Sequence, residues 1–301
     1  MTNYTYTTLN SYLQKTFGEK IYKLALDGGM TCPNRDGKID TRGCIFCSDG
    51  GSGDFSQKYN GNINEQIEKA KKSVSKKFKG NKYIAYFQSY TNTYAPVEYL
   101  RKLFFGAIKN DSIAALSIGT RPDCLSDDVL ELLSELNKIK PVFVELGLQT
   151  IHEKTAEFIR RGYKLPIYDK AVNKLKKRNI NVVVHIILGL PYESREMMYE
   201  TVKYAVNSGI DGVKLQLLHI LKGTDLEKLY LNGKVKALSL EDYTEILCEC
   251  IKLLPENVVI HRLTGDAPKN LLIAPLWSAD KKKVLNYINK EFTKNNISPA
   301  K

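Results

Sequence analysis

The sequence predicts an α/β fold: a parallel sheet whose six strands alternate with helices, followed by a C-terminal extension. Six nearly continuous apolar runs recur along the first 220 residues. Amphipathic stretches separate them, and after about residue 221 the alternation stops. Apolar runs without polar alternation are how strands covered on both faces read. Strand and helix in turn imply parallel neighbours joined by right-handed crossovers.

The strand-like runs, in order, are IYKLALDG (21–28), YIAYFQ (83–88), IAALSIG (113–119), VFVELGLQ (142–149), VVVHIILGL (182–190) and GVKLQLLHI (212–220). Each is β-branched or aromatic-rich and ends in glycine or polar residues. Helical patterns cover 61–78, 97–109, 126–138, 152–161 with 166–178, and 194–208. Ser126, followed by Asp127 and Asp128, makes a helix N-terminus. A partial (β/α)6 barrel of TIM type and a doubly wound sheet both fit this count. From 221 the helical patterns 223–231 and 240–253 lead to VVIH (258–261), a turn-rich segment and a Lys-rich helix from 280 to about 295. The expected organisation is a core of 1–220 with an N-terminal helix, and an extension of 221–301 packed on it. The last residues, NNISPAK, are expected to fray.

Of the 301 residues, 45 are basic and 33 acidic, a net charge of +12. Such an excess suits a polyanionic partner, nucleic acid first, although a Lys-rich cytoplasmic protein has the same balance without binding RNA. The polar start MTNYTYTTLNSYLQKTFGEK has no apolar signal core. No apolar run approaches the roughly 18 residues of a membrane span. A cytoplasmic protein without membrane association is therefore expected.

Three of the six cysteines crowd into CPNRDGKIDTRGCIFCSDGGSGDF (32–55), directly after the first strand. In a reducing compartment, clustered cysteines point to metal rather than to a disulfide. Cys32, Cys44 and Cys47 supply three thiolates on a glycine-rich loop. A [4Fe–4S] cluster takes four, so three leave one iron open to chelate S-adenosylmethionine. The alternative, a zinc knuckle, requires a fourth ligand, and no further Cys or His lies near the motif. Cys248 and Cys250 read as filler, and Cys124 is undecided.

The C-x2-C with an aromatic at its third position, Cys44-Ile45-Phe46-Cys47, is similar to the signature of the radical S-adenosylmethionine (radical SAM) superfamily. The longer first spacing resembles the branch containing the radical SAM half of the elongator catalytic subunit, and within it the short bacterial YhcC/YtqA-type proteins. FQSYTNTYAP (87–96), GTRPDCL (119–125), VELGLQT (144–150), RRGY (160–163), HIILGLPYES (185–194) and HRLTGDAPK (261–269) extend the likeness over nearly the whole chain.

The resemblance implies the partial (β/α)6 TIM-like barrel, with Cys32, Cys44 and Cys47 as cluster ligands and S-adenosylmethionine as co-substrate. It implies that Phe46 packs on the adenine. Ser89, Tyr90 and Asn92 occupy the place of a Gly-Gly-Glu motif that this chain lacks, or else merely cap a strand. Gln149 and Arg161 resemble the pair gripping ribose and methionine carboxylate in coproporphyrinogen-oxidase-like members, with Arg160 as the alternative to Arg161. His185 is a ribose contact or a satisfied core histidine. Independently of the resemblance, His261, Arg262 and Asp266 (with Lys269) concentrate charge on a Gly/Pro turn and are candidates for the catalytic, substrate-facing side; the alternative is a surface turn.

The elongator-like branch acts on the wobble uridine of tRNA, so the anticodon loop is the implied partner, with a flavodoxin- or ferredoxin-type electron donor. The chain has no room for an acetyltransferase domain. The expected reaction is therefore maturation of an existing side chain, carboxymethylaminomethyl-uridine to aminomethyl-uridine. A small carboxylate or porphyrin-like substrate, and a non-enzymatic metal-stabilised RNA-binding module, are the competing readings. Three Lys-rich segments, 71–82, 173–179 and 281–290, are solvated helix faces or one RNA surface. Oligomeric state stays open.

Overall fold

The structure, a computed structural model, describes residues 3–300. The chain opens with β1 (Tyr4–Thr8) and α1 (Leu9–Phe17). Then come β2 (Tyr22–Leu26), α2 (Ile63–Val74), β3 (Tyr83–Phe87), α3 (Val97–Ile108), β4 (Ile113–Thr120) and α4 (Asp127–Asn137). After these follow β5 (Val142–Gln149), α5 (Glu153–Phe158), α6 (Leu165–Lys176), β6 (Asn181–Leu188), α7 (Arg195–Asn207) and β7 (Gly212–Leu217). The remainder holds β8 (Ile220–Leu221), α8 (Asp225–Leu231), α9 (Leu240–Lys252), β9 (Val259–Arg262), β10 (Leu272–Ala274), α10 (Lys281–Lys294) and β11 (Ile297–Pro299).

Sheet order decides between the two architectures that the strand count allowed. Strands β2 to β7 lie side by side in sequence order, and every neighbouring pair is parallel. A doubly wound sheet reverses its order at a switch point, and this one does not. It is an open, partial barrel of the TIM type. The outward strand residues, such as Leu24, Phe87, Ile118, Val144, Val184 and Leu215, form the main core with the helices. The inward residues form a different surface, because successive side chains on a strand point to opposite faces.

At the N-terminal end of the strands, the lumen is sealed by α1. Leu13, 3% exposed, packs with Ile21, Ile84, Ala115, Phe143 and Val183. The helix is started by Thr8, whose hydroxyl accepts from the Ser11 amide at 3.1 Å. It ends at Gly18 in the left-handed conformation.

The sheet does not stop at residue 220. β9 pairs in parallel with β7, then β1 with β9, and β11 with β1, which gives nine strands among the described residues. The segment beyond 220 thus supplies a wall strand as well as the helices packed outside. The expected fraying of the C-terminus is corrected. Ile297 pairs with Tyr4 and is 3% exposed, and the Tyr6 ring meets Phe292 edge-on at 5.8 Å. An isolated apolar residue among polar ones looked solvated because its partner strand lies at the other end of the chain.

Because the Leu13 side chain closes the lumen, Leu13→Ala should lower the unfolding free energy by about 3 kcal/mol, within the usual range for buried Leu truncation. Urea denaturation followed by circular dichroism checks this; a change under about 0.5 kcal/mol would show that α1 does not seal the barrel.

Candidate functional site

A cavity of about 1090 Å³ opens at the C-terminal ends of the strands and runs down the lumen. Single ligand pockets typically span roughly 300–1,000 Å³, so this one is at the large end of that range. Its outer wall carries Cys32, Cys44 and Cys47; its inner wall carries Lys23, Tyr86, Glu145, His185, Lys214 and His261.

The loop with the cysteines follows β2 and is fastened at several points. The Ile45 amide donates to Ile159 O at 3.2 Å, and its carbonyl accepts from the Leu226 amide at 3.0 Å. The Ile45 side chain is 5% exposed, packed with Ile159, Leu190 and Leu226. The Arg35 guanidinium donates to Cys47 O at 3.1 Å and Ser48 O at 2.7 Å. Asn34 Nδ2 donates to Arg160 O at 2.7 Å and to Cys44 Sγ at 3.5 Å. Contact with Cys47, together with nearby Arg121 and Asn34, lowers the Cys44 thiol against its burial, and the same contact with burial raises Cys47.

Do these residues fit an iron–sulfur cluster with S-adenosylmethionine? Among the described residues, no three His, Cys, Asp or Glu side chains are placed to hold a single metal ion. A four-iron cluster instead takes one thiolate per iron around its own sulfide frame. Three thiols facing one cavity meet that need. Beside them, Ser89 Oγ and Thr91 Oγ1 are buried without a hydrogen-bond partner. A Cβ at Gly51, where φ is 55°, would collide with the Tyr90 ring, and one at Gly53 with the Ser89 hydroxyl. The glycines thus allow the 48–53 backbone to lie against the end of β3. Donor set and cradle fit the cofactor pair.

The remaining sequence candidates are placed as follows. Phe46, Tyr90, Gln149, Arg161 and His185 line the cavity, whereas Ser89 is buried against Gly53 and is not in the lining. The Tyr90 amide donates to Gly51 O at 2.8 Å and its hydroxyl to Asp49 O. Asn92 is fully buried away from the lining, and its Nδ2 donates to Gly119 O at 2.8 Å, joining the ends of β3 and β4. Arg161 is 2% exposed, and its guanidinium donates to Thr150 O at 2.6 Å and Tyr163 O at 2.9 Å. Arg160 pairs with Asp225 at 2.5 Å. Neither arginine is a solvated helix charge. Cys248 and Cys250 are buried in α9, and burial pushes the Cys248 thiol up to about 11. Burial likewise raises Cys124 to about 12.

His261, Arg262 and Asp266 all reach the cavity, although His261 and Arg262 are consecutive on β9. A register shift against β7, where Val213 faces Ile260 but Lys214 faces Arg262, lets both do so. Arg262 pairs with Asp266 at 3.1 Å, and Lys281 joins Asp266 at 2.8 Å.

Sequence reasoning missed the innermost group. Glu145 is fully buried on β5. It accepts from Lys23 at 2.8 Å, His185 Nε2 at 2.7 Å, Ser117 Oγ at 2.6 Å and Lys214. Burial opposes its charge, but Lys214, Lys23 and His185 overcome this and hold its carboxyl well below the usual range. Burial lowers Lys214 to about 7 and His185 to about 4, so His185 is neutral at pH 7. Lys214 also donates to the Tyr86 hydroxyl at 2.8 Å, and Lys23 lies 3.4 Å from His261 Nδ1. The signal was available: Lys23, Glu145, His185 and Lys214 interrupt apolar strand runs.

With this geometry in hand, comparison with known proteins is decisive. Residues 41–205 match the model of the radical SAM superfamily, and 210–294 match the radical SAM C-terminal domain. The chain belongs to the radical SAM superfamily. It is 48% identical to YtqA of Bacillus subtilis over 286 residues, 95% of this chain and 89% of that one. It is 29% identical to the tRNA uridine(34) acetyltransferase of Methanocaldococcus jannaschii over 163 residues, 53% of this chain and 29% of that one. In fold it resembles Methanocaldococcus infernus Elp3, with a TM-score of 0.71 and 19% identity over 92% of this chain and 64% of that structure. This radical SAM chain is therefore an α/β enzyme of a family that uses S-adenosylmethionine and a [4Fe–4S] cluster. No helix among the described residues is long and apolar enough to cross a membrane.

Two outcomes follow from the site. Glu145→Leu leaves Lys23 and Lys214 in the lumen without their counter-ion and should cost about 3–5 kcal/mol of stability, read from denaturant unfolding. Burial also lowers His219 to about 4, below its usual value near 6.5. A histidine depressed in the folded state adds stability above the unfolded value that is lost as pH falls towards the folded one. Unfolding free energy should thus drop between about pH 6.5 and 4, and His219→Leu should lose less of it; parallel pH curves for the two proteins would contradict this.

Proposed function

We propose that the chain modifies the wobble uridine of tRNA by radical chemistry, converting a carboxymethylaminomethyl side chain to aminomethyl. The observation that carries this is the single cavity, with three thiols at its outer wall and a cationic inner wall of Lys23, Lys214 and Arg262. The family supplies the chemistry, and the relation to a tRNA uridine(34) acetyltransferase supplies the substrate class. The net charge of +12 suits an RNA backbone.

In this reading Cys32, Cys44 and Cys47 hold the cluster. Phe46, Tyr90, Gln149 and His185 face S-adenosylmethionine, while Ser89, buried against Gly53, and the Asn92 amide hold the strand ends beneath it. Arg161 lines the cavity and fixes the 148–163 backbone through the Thr150 and Tyr163 carbonyls. When bound, the cluster and S-adenosylmethionine supply a hydrogen-atom abstraction. His261, Arg262 and Asp266 face the substrate and hold its reacting carbon near the site of abstraction. Removing a hydrogen atom from the methylene between nitrogen and carboxylate, and then returning one electron to the oxidised form of the flavodoxin- or ferredoxin-type donor, leaves a C=N bond. Water adds across it, the C–N bond breaks with proton transfer to nitrogen, and glyoxylate departs from aminomethyl-uridine. A small carboxylate substrate is the second reading, favoured by the same cationic wall.

The test is anaerobic reconstitution with iron and sulfide, then dithionite and S-adenosylmethionine. The expected products are 5′-deoxyadenosine and, with tRNA bearing the carboxymethylaminomethyl group, aminomethyl-uridine and glyoxylate. Cys32→Ala, Cys44→Ala and Cys47→Ala should each abolish product and lower bound iron, while Cys248→Ala keeps both. Deoxyadenosine without tRNA turnover or salt-sensitive tRNA binding would move the substrate to a small carboxylate. Zinc in place of iron, with no cleavage, would overturn the radical reading.

A further inference from the structure

A TIM-type lumen is usually filled by branched apolar side chains. Here that layer is apolar only at its lowest level, around Leu13 and Phe143. The level above holds fixed charge from opposite sides of the wall: Lys23 on β2, Glu145 on β5, Lys214 on β7 and Arg262 on β9. Buried charge is kept only where it is paired, so the balance is informative. Glu145 answers Lys23 and Lys214 together, and Asp266 is shared between Arg262 and Lys281. With the histidines neutral, Lys23, Lys214, Arg262 and Lys281 face only Glu145 and Asp266, so cationic groups outnumber anionic ones in this part of the cavity.

Exposure indicates where that charge is available. Glu145 is sealed, and Lys214 has 5% of its side chain exposed; Lys23 has 19% and Arg262 33%. Lys214 and Lys23 are scaffold, Lys23 being turned to Glu145, Ser117 and His261, while Arg262, paired with Asp266 alone, presents its remaining donors to the space. The bulge in β9 is what turns Arg262 to the lumen beside His261.

We propose that Arg262 is the binding group for one substrate carboxylate at the inner end of the cavity, with the Lys23 charge adding to the attraction. The site is electrostatically fixed by the Lys214–Glu145 pair, and Asp266 acts as the internal competitor for Arg262. It deepens the proposed function, on which it rests for the statement that the substrate enters this cavity. It names the group that is read: a side chain ending in a single carboxylate. A planar guanidinium suits a carboxylate. A nucleic-acid phosphodiester carries the same single charge but lies on the backbone, outside a lumen that a base and its substituent enter.

The test uses reconstituted, oxidised protein without reductant, so no turnover occurs. Binding of N-acetylglycine is read by ligand-observed NMR, with N-methylacetamide and inorganic phosphate as comparison probes. The expected pattern is binding of N-acetylglycine over both comparison probes. Arg262→Gln weakens it at least tenfold and Lys23→Met less, Lys23→Arg keeps it, and Asp266→Asn tightens it several-fold by freeing Arg262. If Lys23→Met does not fold, Arg262→Gln and Asp266→Asn still give changes of opposite sign. Equal binding of N-methylacetamide, tighter binding of phosphate, or weakening by Asp266→Asn would each overturn the site. Because no radical is generated, absence of deoxyadenosine or of tRNA turnover would fall on the proposed function alone.

Discussion

An open barrel lacks the backbone hydrogen bonds that close a complete one, so its curvature has to be held across the lumen. In this chain Glu145 does that. From the middle of the sheet it reaches Lys23 on the edge strand β2 and Lys214 on β7, with His185 and Ser117 filling its remaining acceptor positions. Four strands besides its own route are thereby tied by one carboxylate: β2, β4, β6 and β7. A desolvated carboxylate has no alternative partner such as water, so the wall cannot flatten without exposing an unpaired charge. Beneath it, α1 closes the lumen with Leu13; above it, the cavity stays open.

This brace divides the cavity into two chemically different ends. The outer end is soft and backbone-rich: three thiols, the amides of a glycine loop, and orphan hydroxyls at the tip of β3. The inner end is hard and cationic. Arg161 and Arg121 also line the cavity, with their guanidinium groups engaged by protein partners. Arg161 donates to the carbonyls of Thr150 and Tyr163, while Arg121 is held bidentately by Asp123 at 2.9 and 2.7 Å and donates to Arg161 O. They rigidify the segment from which Arg160 O accepts the Asn34 side chain, and so act on the cysteine loop through its backbone.

Much of this was legible. The six strand runs and their helices are found within a few residues of where periodicity put them, because strands covered on both faces leave a strong apolar signal. The cysteine loop stood out by spacing alone. The nine-residue α1 was less visible, being short and only partly apolar. The place of β9 in the wall was invisible, since VVIH looks the same on the outside of a barrel as in it.

What the sequence by itself determined is the order of elements and the place of the three-cysteine loop, both written in short-range spacing of apolar residues and cysteines. Only the tertiary structure decided that β1, β9 and β11 complete the sheet, and that Lys23, Glu145, Lys214 and Arg262 meet in one lumen. Those residues are separated by up to 239 positions. Local pattern encodes which face a side chain takes on its own strand; the curvature of the assembled wall then sets which inward faces confront each other. The charge that lumen carries is thus a property of the closed space, not of any segment.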